Sequence, residues 1–269
     1  MSFRIVTQAV WPGSCSNHHV VVAMYKKCRP VAMLCFCLSG ATAVVAAETA
    51  EAIIDKMGKS ENLRRSHLKE LWGSRRYTLR NERWNKNAEM QVEVQYRKGQ
   101  GKSFQVLAST GSEDIQNRVF QKLLDTEVEA SKSTDPDPSQ LSNANYRFKM
   151  IGEEVHNGRR CHVVQMFPRK KSKFLIDGKA WVDAEDYALV RMEGRPSASL
   201  SFWVGRPYIV QEFAKVGEQW VASSNHSIAD SRLFGRTELQ IEYARYNVNG
   251  GGTTRVAAGL PVHPERSLD

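Results

Sequence analysis

The chain has 269 residues, with 38 Lys and Arg against 29 Asp and Glu, for a formal net charge of +9. A chain of this size can bury about 70% of its unfolded surface in one core. The basic excess is mild, so it favours anionic surfaces weakly and does not amount to a nucleic-acid footprint.

Residues 1–47 read as an address rather than a fold. Lys26, Lys27 and Arg29 form a positive start, and Pro30 to Val45 is apolar and small. Val45-Ala46-Ala47 offers the small residues of a signal-peptidase site, and Glu48 opens the polar chain beyond it. The apolar run is about 16 residues, short of the ~20 that a membrane span needs. Residues 24–47 are therefore expected to be a cleaved signal peptide that sends the protein to the periplasm. Met24-Tyr-Lys-Lys begins such a peptide cleanly, so residues 1–23 are expected to be a mis-called extension. Cleavage removes Arg4, Lys26, Lys27 and Arg29 and no acidic residue, which lowers the charge from +9 to +5. It also removes Cys15, Cys28, Cys35 and Cys37, leaving Cys161 with no partner for a disulfide. Leu38-Ser39-Gly40 approaches a lipoprotein signal, but Ala41 stands where the acylated Cys would be.

Beyond the cut, Thr49 to Met57 has helical spacing, with Ala52, Ile53, Ile54 and Met57 on one side. Gly58 suggests a break, after which Leu63, Leu68 and Leu71 continue the pattern. Arg75 to Arg83 is a weakly alternating strand with Tyr77 and Leu79 on one side. Gln91 to Arg97 alternates without a fault, Val92, Val94 and Tyr96 facing in. Lys98-Gly-Gln-Gly101 turns the chain and Lys102 to Ser109 returns, completing an antiparallel meander. Asp114 to Val128 is a second helix, whose stripe of Val119, Phe120, Leu123, Leu124 and Val128 fits core packing or a lid over a cavity. Ser131 to Ser142, with Asp135-Pro-Asp-Pro138, is an irregular linker.

Strands then recur at short intervals. Tyr146 to Glu154 and Arg160 to Phe167 are joined by Asn157-Gly158, a strong type I′ hairpin signal. A second hairpin spans Lys179 to Gly194, with a turn at Ala184-Glu185-Asp186. Its second strand is expected to place Ala188, Val190 and Met192 on one face, and Leu189, Arg191 and Glu193 on the other. Tyr208 to Val216, Trp220 to Ile228 and Arg236 to Tyr246 follow, with a tight turn at Gly217-Glu218. The pattern is mainly β, or α+β, in a barrel or sandwich. One domain is expected over 48–248, and a flexible tail over 249–269.

No nucleophile elbow, zinc-protease helix, phosphate-binding loop or Cys-x-x-Cys is present. Nothing calls for a cofactor or a metal, and no enzymatic activity is expected. Cys161 and His162 are adjacent in a strand and point to opposite faces, so they do not make a nucleophile and base. Asp183, Glu185 and Asp186 fit turn chemistry better than a calcium loop. Arg169, Lys170, Lys171 and Lys173 form the densest basic run, a solvated loop or a docking surface for anionic lipid. Trp181, Phe202, Trp203, Phe213 and Trp220 crowd the C-terminal strands, either as core or as the lining of an apolar groove.

An amphipathic helix, a meander, a central helix and further antiparallel strands follow one another here. With the hairpin Lys179-Ala-Trp-Val-Asp183 and Tyr187-Ala-Leu-Val-Arg-Met-Glu193, the order resembles the LolA-like lipoprotein-carrier and RseB-like sensor group of periplasmic half-barrels. The resemblance covers residues 48–248. It implies an unclosed antiparallel half-barrel with two or three short helices over its concave face. It also implies an apolar cavity for a lipid or lipoprotein acyl chain. The five aromatics would line that cavity and Val119, Phe120, Leu123 and Leu124 would cover it. The alternative is an RseB-like sensor that binds a protein partner in the cell envelope.

Overall fold

Two antiparallel meanders meet along one long strand pair. The computed structural model describes residues 48–132, 138–199, 206–231 and 235–256. The first meander is β1 (Glu70–Asn81), β2 (Lys86–Arg97) and β3 (Gly101–Gly111). The second runs β4 (Tyr146–His156), β5 (Arg159–Pro168), β6 (Ile176–Asp183), β7 (Leu189–Pro196), β8 (Tyr208–Val216), β9 (Gln219–Ser231) and β10 (Gly235–Val248). β10 returns to pair with β1, from Leu71 opposite Val248 to Asn81 opposite Thr237. The order is β3-β2-β1-β10-β9-β8-β7-β6-β5-β4, with a short β11 (Thr254–Arg255) beside β10. The end strands β3 and β4 are not paired with each other, so the sheet is an unclosed half-barrel.

Helix α1 (Ala50–His67) begins at Thr49, whose hydroxyl accepts the Ala52 amide at 3.3 Å, and carries Arg64, Arg65 and His67 in its last turn. It runs through Gly58 unbroken, because Ile53, Ile54 and Met57 already anchor it to the sheet and the Gly cost is only ~1 kcal/mol. The later leucines do not extend its apolar face: Leu63 is exposed and Leu71 lies in β1. The central helix comprises α2 (Glu113–Ile115), a π-helical turn (Gln116–Phe120) and α3 (Gln121–Lys132).

Among the described residues the core has three parts. Ile53, Ile54 and Met57 pack with Val164, Met166, Ala180, Val182 and Met192. Phe120, Leu123 and Leu124 pack with Tyr77, Val92, Ile241 and Tyr243 of β1, β2 and β10. Between these two clusters runs a polar strip: Asn225 Nδ2 donates to Gln211 Oε1 at 2.8 Å, and Ser227 donates to Asn225 at 3.0 Å. The third cluster, Cys161, Val163, Trp181, Ala188, Val190 and Trp220, includes no helical residue. Strand alternation puts Val163 and Trp181 on the face opposite Val164, Ala180 and Val182.

Two expectations change. A bulge in the β6–β7 pair inserts Val190 beside Arg191. Val190 and Ala188 therefore join Trp181, while Met192 and Leu189 face α1, so Ala188, Val190 and Met192 do not share a face. The stretch read as a tail starts with residues in fixed places. Asn249 accepts the Lys69 and Glu70 amides through its side chain, the Val256 amide donates to Ala244, and Val256 is buried. Residues 257–269 lie outside the described residues, as do the expected extension and signal peptide at 1–47 and residues 133–137 of the linker. Finally, Gly178 and Gly194 face each other across β6 and β7. A Cβ on Gly178 would stand 2.0 Å from the Glu193 carbonyl oxygen, so the strands approach only because both residues lack one.

Candidate functional site

The helix-bearing face holds a pocket between the end of α3 and residues of β1, β2 and β10. Leu68, Leu71, Tyr96, Ser131 and Phe213, all half-buried, form its mouth. Arg75, Val94, Gln211, Val221, Ala222, Tyr243 and Tyr246 form its buried floor. A bulge in the β1–β10 pair, at Ala244, builds this floor. Tyr243 and Tyr246, three residues apart, would otherwise point to opposite faces. The bulge turns both inward, Tyr243 opposite Arg75 and Tyr246 opposite Gly73, where a Cβ would be 2.9 Å from the Tyr246 ring.

Three charged side chains converge at the pocket. Arg75 Nη1 donates to both oxygens of Glu127 on α3, at 2.9 and 3.0 Å, and to the Tyr77 hydroxyl at 3.2 Å. Lys102 Nζ on β3 donates to Glu127 Oε2 at 3.1 Å. The Arg75 guanidinium lies 4.8 Å from the Tyr243 ring centre and 5.4 Å from that of Phe104. The side chains of Arg75 and Glu127 are only 5% and 8% exposed. Burial opposes ionisation of Glu127, but Arg75 and Lys102 outweigh it and hold the carboxyl below its usual range. Burial also opposes the charge on Arg75, but Glu127 and the surrounding rings leave it well above the ordinary arginine value. For Lys102 burial wins over Glu127, and its pKa is lowered. Burial raises Tyr77 to about 12 and Tyr243 well above the ordinary tyrosine value.

The site therefore holds two cations and one carboxylate. Among the described residues, two of its buried donors have no partner, Arg75 Nε and the Tyr243 hydroxyl. The cavity encloses about 60 Å³. That is room for roughly four waters at the ~15 Å³ each requires, and far below the ~300 Å³ of a pocket that encloses a whole ligand.

The expected site residues divide. Phe213 lines the pocket mouth. Val119, Phe120, Leu123 and Leu124 lie on the cluster beneath the central helix, over β1, β2 and β10. Trp181 and Trp220 lie in the helix-free cluster instead. Trp181 donates its indole N–H to Glu154 at 2.8 Å and has Arg191 over its ring. Trp220 donates to Asp186 at 3.2 Å. Phe202 and Trp203 lie outside the described residues. In the loop after β5, Lys170 and Lys171 are exposed. Arg169 is pinned to the start of β4 through the Asn143 and Tyr146 carbonyls, and Lys173 lies over the Phe174 ring.

The other clusters are structural. Asp183 accepts the amides of Glu185 and Asp186 and pairs with Arg159, which fixes the β6–β7 turn. Cys161 is fully buried, and burial, with Asp183 beside it, pushes its thiol up to about 11. The His162 ring stacks on Tyr187, away from Cys161.

Arg75, Lys102 and Glu127 are absent from the sequence expectations, yet each carries a signal. Arg75 is in phase with Tyr77 and Leu79, Lys102 with Phe104, and Glu127 with Phe120, Leu123 and Leu124. A charge in phase with a buried stripe is an inward charge in need of partners.

No family model matches the chain. No curated protein matches it either. Among solved structures it is similar to a LolA superfamily protein from Nitrosomonas europaea, at 10% identity and a TM-score of 0.40, over 77% of this chain and 96% of that one. It is similar to a DUF1329 family protein from Desulfovibrio piger, at 10% identity and a TM-score of 0.36, over 76% and 95% of the two chains. The third is the MucA/MucB complex of Pseudomonas aeruginosa, at 9% identity and a TM-score of 0.25, over 77% and 99%.

Proposed function

We propose that this protein is a non-enzymatic binding protein of the periplasm, exported by a cleaved signal peptide, that takes a lipid or lipoprotein acyl chain on the helix-bearing face of the half-barrel. One observation carries the reading: a pocket with apolar walls opens between α3 and the sheet, at Leu68, Leu71, Tyr96 and Phe213. Its present volume admits a head group and not a chain, so the chain enters as α3 moves off β1 and β2. Such a move exposes Phe120, Leu123 and Leu124 to the ligand in place of the sheet. Burying each CH₂ contributes about 0.8 kcal/mol, so about ten carbons contribute on the order of 8 kcal/mol toward the contacts that α3 gives up. The exposed Lys170 and Lys171 would then meet an anionic membrane surface during transfer. Among the described residues no helix is long and apolar enough to cross a membrane.

The test is native mass spectrometry of protein purified without detergent, followed by titration with a fluorescent fatty-acyl probe. Retained acyl mass, or probe binding at micromolar concentration, supports the reading. A probe that does not bind overturns it.

A separate observation favours a second reading, a module that binds an envelope protein. The edge strands β3 and β4 are open, and they expose Val106, Leu107, Ile151 and Val155. An extended partner segment added to either edge would pair its backbone and cover these side chains.

A further inference from the structure

The Arg75–Lys102–Glu127 cluster is unbalanced in two ways at once. Its charge is unequal, two cations to one carboxylate, and both cations contact the same Glu127. Its hydrogen bonding is incomplete, because Arg75 Nε and the Tyr243 hydroxyl are buried without partners among the described residues. Both residues, and Lys102, line the same pocket. A buried donor without a partner is costly, and a buried charge without a counter-charge more so. A single monovalent anion in the cavity would correct both defects. It would accept from Arg75 Nε, Tyr243 and Lys102, and bring the cluster to neutrality with Glu127 still in place.

The geometry points to a second, unassigned element of the pocket, a carboxylate-binding floor that selects an anionic amphiphile, a free fatty acid, over a neutral lipid. This rests on the acyl-binding reading above and narrows it. The head group enters first, since the floor holds the polar groups of Arg75, Gln211 and Tyr243 while the mouth at Leu68, Leu71, Tyr96 and Phe213 is apolar. The cavity matches the head alone, about 60 Å³. The tail then lies along the mouth and under α3. Bulk phosphate or acetate would satisfy the floor without using the mouth, so the amphiphile is favoured by the apolar walls and not by the cations.

Calorimetric titration of the full chain with decanoate, 1-decanol and acetate separates these contributions. Decanoate is expected to bind about tenfold tighter than decanol, a difference of ~1.4 kcal/mol. Acetate is expected to bind far more weakly than either. Lys102→Met leaves the Arg75–Glu127 pair balanced, so the fold is kept. It should lower decanoate affinity about tenfold with decanol affinity unchanged. Tyr243→Phe, which only deletes an unpartnered hydroxyl, should weaken decanoate several-fold and provides a second variant if Lys102→Met does not fold. Equal affinity for decanoate and decanol, or a preference that neither variant changes, overturns the carboxylate floor and leaves acyl binding standing. Acetate binding as tightly as decanoate overturns the amphiphile in favour of a small-anion site. Failure of both decanoate and decanol to bind overturns the acyl-binding function and the floor with it.

Discussion

Glu127→Gln is the sharpest perturbation of the site, because it deletes a charge and keeps the shape. In the wild type this carboxylate is the shared partner of Arg75 and Lys102, all three at the interface of α3 with the sheet. Removing one member of a buried ion pair costs about 3–5 kcal/mol, because the other is left buried and unpaired. Arg75 cannot shed its proton, so its buried charge stays unpaired in the variant. The loss at neutral pH should therefore be about 3–5 kcal/mol, a large part of a typical total of 5–15. Urea unfolding followed by tryptophan fluorescence measures it. The pH dependence gives an independent reading. Glu127 titrates below 4.5 in the fold, so its contribution is complete above 4.5 and is lost as pH falls through the folded value. The gap between wild type and Glu127→Gln should thus close in acid. A variant within ~0.5 kcal/mol of wild type, with a parallel pH profile, would show that α3 is not held by this cluster.

Trp181→Ala should cost ~3–5 kcal/mol and leave acyl-probe binding unchanged, since the ring is core on the helix-free face; lost binding with stability retained would return it to the groove. Gly178→Ala should cost at least ~1–3 kcal/mol by forcing β6 from β7, measured as a lowered urea midpoint; an unchanged midpoint would refute the close approach. Replacing Lys170 and Lys171 with Ser should weaken binding to anionic vesicles and its salt dependence, with stability within ~0.5 kcal/mol per site. Binding that does not change marks the loop as solvated.

Much of the fold was legible locally. A strand buried on one face writes its period into the sequence, so Tyr208 to Val216 was readable to the residue and Arg236 to Tyr246 nearly so. Asn157 and Gly158 both take positive φ, as their turn requires. Two things were settled only by the tertiary structure. One is which face of a strand meets a helix. Trp181 and Ala180 are equally apolar as neighbours, and nothing local says that α1 packs on Ala180. The bulges add to this, since one extra residue parts Val190 from Met192 and another brings Tyr243 and Tyr246 together. The other is the charged site. Arg75, Lys102 and Glu127 are each a polar residue in an amphipathic stretch, and only the crossing of α3 over β1 and β3 makes them neighbours. Period is a property of a segment, whereas charge compensation is a property of the contacts between segments. The first can be read along the chain, and the second exists only once the chain has folded.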